Sequence, residues 1–497
     1  MIKKGAMEAR DYQVRLASEV GDGNAIIVLP TGLGKTAIAA LILAATLQRR
    51  GGRALFLAPT RVLVQQHRAF LEKVVDLPAG SVASLTGEDD VLSRSDAWAC
   101  RVVCATPQIA VQDYRRRLYE PSRFSIVIFD EVHRATGNHS YASISRIFSG
   151  QEQQKVGMTA TLPAEAGRIE EIKETVGAES ILYRDYQSED VVPFVQKVDV
   201  ETRTMEAPPN MRKAIGLLKD ALVERMTLLA EAGFLPMEAA RRLSFKELLT
   251  RRDAILRRGS WNARFAYSFC AKAFTLLKYL ETQTYRSFLN YHQKIIGNEG
   301  RVSAMFSRDP RVAEAVSEIE QATRRGEEHP KVGVLRELLT AMKPSDRALI
   351  FAGYRETVDQ IHKMLVASGI RSWTLIGKQG ETGQRQEEQV RAVESFRSGE
   401  YQALIATQIG EEGLDIAECN LVVFYDNVPS AIRYVQRRGR TGRRSSGRMV
   451  MLMVKGTSDE AYYWVVQRKL NMMKGVIGRL NAAPKRQKRP GTLDSFI

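Results

Sequence analysis

Residues 30–36 read Pro30-Thr31-Gly32-Leu33-Gly34-Lys35-Thr36, directly after the apolar run 25–29 and directly before the helix-forming run 37–48. A strand, a glycine-bearing turn and a helix in that order make a phosphate-binding loop. Gly32 and Gly34 let the backbone approach an anion, and the helix N-terminus adds partial positive charge where the anion lies. Lys35 is the candidate for β- and γ-phosphates, and the Thr36 hydroxyl is the candidate for magnesium. The general loop pattern wants a further glycine where Leu29 stands.

Around this loop the first two hundred residues alternate short β-branched apolar runs with amphipathic stretches. The runs cover 25–29, 54–58, 102–105, 126–129 and 156–158. This is the pattern of a parallel sheet covered by helices on both faces, whose ligands sit at the carboxyl ends of the strands. One of those ends carries Asp130-Glu131-Val132-His133, 95 residues beyond Lys35. Asp130 suits a magnesium ion held through its water shell, and Glu131 is placed to polarise an attacking water. An isolated Asp-Glu pair would read as an exposed acidic turn; paired with the phosphate loop it reads as a site.

From about 210 to 326 the texture changes to leucine- and alanine-rich segments of helical spacing, such as 212–229 and 238–256. Strand signals return at 348–351, 372–376, 403–406, 421–425 and 448–454. The fold expected is α/β: two parallel-sheet domains that resemble recA-like motor domains, with an inserted all-helical domain and a short flexible C-terminal tail. The boundaries are 1–195 for the first motor domain, 196–328 for the helical insertion, 329–480 for the second motor domain and 481–497 for the basic tail. In the second motor domain stands Gln436-Arg437-Arg438-Gly439-Arg440-Thr441-Gly442-Arg443. Arginines spaced by glycine turns can reach across a cleft to a γ-phosphate, and Arg440 and Arg443 are the candidates. A basic surface cluster or nucleic-acid patch is the alternative, above all for Arg437, Arg438 and Arg444.

The chain has 497 residues, of which 73 are Lys or Arg and 57 are Asp or Glu, a formal charge of +16. That excess points to a polyanionic partner. The insertion carries Arg251, Arg252, Arg257 and Arg258 close to Trp261, long basic side chains that suit phosphates rather than bases. Phe265, Phe269 and Phe274 follow a helical face and read as core. Four cysteines without CxxC spacing read as reduced thiols, not a zinc or iron–sulfur site. No apolar run approaches the length of a membrane span, and the segment MIKKGAMEARDYQ lacks the apolar centre of a secretion signal, so a cytoplasmic, nucleoid-associated location is expected and no membrane partner.

Taken together, these motifs resemble superfamily 2 helicases, with residues 30–36 as the helicase variant of the phosphate loop. The resemblance runs over nearly the whole chain. It makes Arg10-Asp11-Tyr12-Gln13 an adenine-reading element, with Arg10 and Gln13 joining Thr31, Gly32, Gly34, Lys35 and Thr36 around ATP. It makes Thr60 and Arg61, Thr86 and Gly87, and Thr106 and Pro107 stations for the nucleic-acid backbone. Thr159-Ala160-Thr161, with His133, resembles the element that couples hydrolysis to strand movement. Phe351 to Arg355, including Tyr354, then Thr407 and 410–415 resemble further backbone-binding and nucleotide-sensing stations, Gly413 and Asp415 among the latter. Gln436 leads the arginine motif and counts with Lys35, Asp130, Glu131, Arg440 and Arg443 as catalytic.

Within the superfamily, this arginine motif, the DEVH box and the helical insertion look most like the archaeal Hef and Fanconi-M helicases. That resemblance implies ATP and Mg2+ as cofactors, forked, branched or single-stranded DNA as partner, and 3′-to-5′ movement. RNA-sensing helicases of the RIG-like group share the architecture and remain an alternative, as does a clamp-bound adaptor with an idle motor. Long Hef proteins add a nuclease domain with a Glu-Arg-Lys signature; no such tripeptide stands here, so any cutting is expected from a separate nuclease partner. The segment Thr492-Leu493-Asp494-Ser495-Phe496-Ile497 resembles a peptide for the sliding clamp PCNA, with Leu493, Phe496 and Ile497 as the apolar plug and Pro490 where a glutamine is usual.

Overall fold

The computed structural model describes residues 1–87, 91–137, 139–149, 152–195, 198–297, 300–377, 384–407, 416, 419–438 and 447–482. Its first sheet is built of β1 (Ala25–Val28), β2 (Arg53–Leu57), β3 (Val82–Leu85), β4 (Val102–Ala105), β5 (Phe124–Asp130), β6 (Gln154–Thr159) and β7 (Ser180–Tyr183). They lie in the order β3-β4-β2-β5-β6-β1-β7, and every pairing is parallel. Successive side chains of a strand point to opposite faces, and here both faces are covered. Ala25 and Ile27 enter one apolar cluster, while Ile26 and Val28 enter another across the sheet. That double burial is why the central strands are continuous apolar runs.

The second sheet contains β8 (Val198–Met205), β9 (Ala348–Phe351), β10 (Ser372–Leu375), β11 (Ala403–Ala406), β12 (Leu421–Phe424) and β13 (Gly447–Val454), in the order β10-β11-β9-β12-β13-β8 and again parallel. It repeats the two-faced burial, with Ala348 and Ile350 on one side and Leu349 and Phe351 on the other.

Between β8 and β9 lies the insertion, dominated by the helices Pro209–Glu231, Trp261–Thr282, Tyr285–Gly297 and Pro310–Arg324. In the first of these Met211, Ala214, Leu218, Leu222, Met226 and Leu229 are buried, the stripe a 3.6-residue period places on one face. Phe265 and Phe269 lie in the same core and Phe274 packs against it. Local signals start the helices: Ser260 accepts from Ala263 N, and Asp309 accepts from Arg311 N ahead of Pro310.

Two segments depart from the expected boundaries. The stretch 196–328 was expected to be all helical, yet 198–205 forms β8 and pairs along its whole length with β13. It is an edge strand, half exposed, with Asp199, Glu201 and Arg203 breaking any apolar run, and Glu201 is pinned by Arg448 at 2.5 Å. The other is the helix Ser458–Ala482, which leaves the second sheet and buries Met473, Val476 and Ile477 in the core of the first. Among the described residues no helix is long and apolar enough to cross a membrane.

Candidate nucleotide and nucleic-acid sites

The phosphate loop sits at the carboxyl end of β1. Gly32 and Gly34 have φ of 85° and 78°, left-handed values that an L side chain resists. At Gly34 a Cβ would also stand 2.4 Å from Gln13 Nε2. The helix Lys35–Arg50 begins on the loop, so Lys35 and Thr36 occupy its first turn. Lys35 Nζ donates to the Leu29 carbonyl at 3.1 Å, folded back over the loop.

Behind the loop stand Arg10 and Gln13. Gln13 Nε2 donates to the Leu33 carbonyl at 3.1 Å, and the Tyr12 hydroxyl donates to the same oxygen at 2.6 Å. Gln13 Oε1 accepts from Arg10 N, and the Arg10 guanidinium donates to the Phe194 carbonyl while lying 5.8 Å from that ring. The adenine-reading candidates therefore meet the loop itself, with Gln13 acting here as a strut beneath it. Tyr12 and Phe194 belong to this cluster too; Tyr12 stands inside a quoted motif, whereas nothing in the sequence around Phe194 marks it.

The acidic pair ends β5, beside β6 and two strands from β1. Asp130 is 6% exposed. Its Oδ1 accepts from Glu131 N at 3.0 Å, its Oδ2 lies 2.9 Å from His67 Nε2, and its carbonyl accepts from the Tyr141 hydroxyl at 2.5 Å. Burial pushes the Asp130 carboxyl up, but the hydrogen bond and charge of His67, with the charge of Lys35, outweigh it and hold the group below the usual carboxylate range. The carboxylate that feels the Lys35 charge is thus kept ionised.

Glu131 has φ of 50°, a strained left-handed value for a residue with a side chain. Its Oε2 is buried and makes no hydrogen bond among the described residues. His133 Nδ1 lies 3.2 Å away, but that nitrogen is engaged at 2.9 Å by Thr159 Oγ1. Thr159 Oγ1 donates to the Thr161 carbonyl, and Thr161 Oγ1 reaches Met473 Sδ at 2.9 Å on the helix Ser458–Ala482. His133, Thr159 and Thr161 therefore form one chain of contacts leading away from Glu131, and Met473 extends it to a helix rooted in the second sheet.

The donor set fits a magnesium nucleotide on observations independent of any ligand: an anionic Asp130 near Lys35, a loop whose glycine leaves no room for a Cβ, and a buried carboxylate oxygen on Glu131 without a hydrogen bond. The two sheets meet at this loop. Thr31 Oγ1 donates to the Val435 carbonyl at 3.0 Å, and Val435 lies on the helix Ala431–Arg438 that begins the arginine motif. Gln436, next to Val435, is buried there. Arg437 is buried as well, between the Phe351 and Phe424 rings at 4.9 and 5.2 Å, with Nη1 donating to the Asp426 carbonyl. It is a core residue of the second sheet rather than part of a surface patch. Arg440, Arg443, Gly413, Asp415, Leu493, Phe496 and Ile497 lie outside the described residues.

The residues expected to meet nucleic acid fall in three places: the first unit, the second unit and the insertion. Thr60 caps the helix Arg61–Val74, accepting from Leu63 N, and the Arg61 guanidinium lies 3.2 Å from where a Cβ on Gly87 would stand. Thr106 stands at the N-cap position of the helix Pro107–Arg115 and its N–H donates to the Leu85 carbonyl, so Thr60, Arg61, Gly87 and Thr106 share the carboxyl ends of β2, β3 and β4. In the second unit Thr407 N donates to the Leu375 carbonyl, and Arg355 Nη2 donates to the Gly377 carbonyl. Tyr354 is turned under the insertion, 4.6 Å from the Tyr279 ring. Arg251, Arg252, Arg257 and Arg258 are all exposed on the insertion, next to a Trp261 that is 49% exposed, stacked on Phe265 and faced by Arg301.

His67 was not singled out by motif. The signal was present: on the helix Arg61–Val74 the buried residues are Val64, His67, Leu71 and Val74, an apolar stripe with one titratable member.

Two parallel sheets facing each other across a phosphate loop, with an acidic pair beside it and an arginine-bearing helix closing from the other side, define an ATP-hydrolysing helicase motor. Residues 10–169 match the DEAD/DEAH box helicase family, and residues 330–445 match the helicase conserved C-terminal domain. The crystal structure of the Hef helicase domain from Pyrococcus furiosus is similar at a TM-score of 0.71 and 36% identity, covering 92% of this chain and 97% of that one. The chain belongs to the Hef-like helicases of superfamily 2. A Methanocaldococcus jannaschii protein named as an ATP-dependent RNA helicase is 34% identical over 93% of this chain and 60% of its own length. The ATP-dependent DNA helicase mph1 of Aspergillus fumigatus is 30% identical over 92% of this chain and 45% of its own. The chain thus spans about half the length of these curated relatives.

Proposed function

We propose that this chain is an ATP-dependent DNA helicase or translocase that moves 3′-to-5′ on forked or branched DNA in replication-fork repair or recombination. The observation that carries the reading is the contact of Thr31 with the Val435 carbonyl, which brings the phosphate loop of one sheet against the arginine-motif helix of the other. A nucleotide held there answers to both units at once, so its hydrolysis can change how they sit and how each grips a strand.

Lys35 binds the β- and γ-phosphates, and the backbone N–H groups of the loop orient them. Thr36 and Asp130 would hold magnesium, which supplies neutralising charge on the phosphates. Glu131 positions and polarises the attacking water, and its unsatisfied oxygen leaves a lone pair for that water. Arg440 and Arg443 stabilise the charge that develops in the transition state. The chain from His133 through Thr159 and Thr161 to Met473 relays the state of Glu131 toward the second unit.

Thr60, Arg61, Gly87 and Thr106, with Arg355 and Thr407, hold one strand by its backbone. The four exposed arginines around Trp261 grip duplex near a fork without reading its sequence. The tail, through Leu493, Phe496 and Ile497, docks on a PCNA-type clamp; a chain ending at residue 490 should lose clamp pull-down and keep its ATPase, and equal pull-down would remove the tail from that role.

A second reading, an RNA-dependent ATPase, is favoured by the name of the Methanocaldococcus relative. The deciding experiment compares ATPase stimulation by forked DNA, single-stranded DNA and duplex RNA. Strongest stimulation by the fork is expected. Strongest stimulation by RNA replaces the DNA reading, and none by any of the three would leave a clamp-bound adaptor with an idle motor.

A further inference from the structure

The carboxylate of Asp130 is fixed at both oxygens, and the two tethers differ in origin. One, from Glu131 N, is the neighbouring peptide of the same turn. The other comes from His67, a residue of the helix Arg61–Val74, whose Nε2 lies 2.9 Å from Oδ2. His67 is 6% exposed, and its ring lies 4.4 Å from that of Phe56 on β2. Placing an imidazole in an apolar stripe is costly unless its nitrogens are engaged, and here the engaged partner is the acid of the nucleotide site. The same helix starts at Thr60 and Arg61, beside Gly87. From Arg61 to His67 is six residues, about 9 Å along the axis.

We propose that His67 is a positioning residue that ties the nucleic-acid end of the helix Arg61–Val74 to the magnesium-holding carboxylate of Asp130. A strand seated on Thr60 and Arg61 sets the helix, the helix sets His67, and His67 sets the orientation of the carboxylate. Nucleic acid then stimulates hydrolysis from within the first unit, in addition to whatever closure of the two units contributes. Groups that orient a metal ligand from outside the coordination sphere govern affinity in this way. The inference rests on the proposed ATPase and its stimulation by DNA.

The test uses the full chain with His67→Leu, His67→Gln and His67→Asn. Glutamine reaches nearly as far as histidine and keeps a donor, while asparagine is too short. Mn2+ binding in the presence of a non-hydrolysable ATP, followed by electron paramagnetic resonance, should weaken about 10-fold in His67→Leu and His67→Asn and recover most of the loss in His67→Gln. Fork-stimulated turnover should fall in the same order, while fork affinity without nucleotide stays within twofold. Unchanged Mn2+ affinity in both His67→Leu and His67→Asn overturns the proposal. So does a loss in all three variants that merely follows their melting temperatures. Should His67→Leu fail to fold, the contrast of glutamine with asparagine decides. If the unaltered chain binds Mn2+ with nucleotide yet shows no response to any nucleic acid, the functional reading fails, and this inference with it.

Discussion

Two buried carboxylates, one in each sheet-bearing unit, sit in opposite surroundings. Asp130 at the end of β5 is held by His67 and the Glu131 N–H and feels the charge of Lys35, and these outweigh burial and keep it ionised. Asp459, at the start of the helix Ser458–Ala482, is 0% exposed and paired with an equally buried Lys331. Burial pushes its carboxyl up to about 7, against the pull of the Lys331 charge and hydrogen bond and the Asn427 N–H, and neighbouring Asp426 pushes the same way as burial. Lys331 also donates to the Thr282 carbonyl at 3.1 Å and the Tyr425 carbonyl at 2.8 Å. That centre joins the insertion, the second sheet and the long returning helix. Burial alone does not separate a working acid from a structural one. The difference lies in what the surrounding groups face: a phosphate loop in one case, three packed elements in the other.

If that contrast is right, changes at the first centre should cost turnover with little stability, and changes at the second the reverse. Glu131→Gln removes the charge proposed to polarise water, and turnover should fall by about 10² to 10⁴-fold while ATP and nucleic-acid binding persist. Steady-state ATPase with equilibrium binding measures this, and unchanged turnover would take Glu131 out of the mechanism. Lys331→Met leaves Asp459 and two carbonyls buried without their partner. Breaking a buried pair from one side typically costs about 3–5 kcal/mol, read from urea unfolding. A loss below about 1 kcal/mol, the scale of exposed pairs, would show that the junction does not depend on this pair.

The same contrast explains what was legible in the sequence. The central strands β1, β2, β4, β5 and β6 are buried on both faces and write themselves as apolar runs. The strands without that signal, β3, β7 and β8, are all at sheet edges, where burial is mixed: only the first and last residues of β3 are buried, and none of β8 is. The candidate-site residues that were legible lie in motifs where chemistry dictates spacing, such as Gly32, Gly34, Lys35 and the Asp130-Glu131 pair. Those that were not legible act through space. Phe194 and Met473 stand in ordinary turn or helical sequence, His67 shows only as the titratable member of an apolar stripe, and Lys331 and Asp459 are 128 residues apart with nothing in either neighbourhood to announce the other. The direction of Arg437 was equally hidden, because a basic run does not say which member turns inward between Phe351 and Phe424.

A smaller effect distinguishes the two acids by pH. With Asp459 raised from 3.8 to about 7 in the fold, the folded chain binds a proton there that the unfolded chain has already released between those values. The stability this group contributes is therefore complete below about pH 4 and is lost as pH rises through about 7. Asp130, depressed in the fold, works in the opposite sense: its contribution is present above the ordinary carboxylate range and is lost on acidification. Comparing the unaltered chain with Asp459→Asn by urea unfolding at pH 5 and pH 8 isolates the first term, because the other titrating groups are common to both. The advantage of the unaltered chain should be larger at pH 5 than at pH 8. An advantage that stays constant or grows toward pH 8 would mean that Lys331 keeps Asp459 charged throughout, and the two carboxylates would then differ in partners but not in proton affinity.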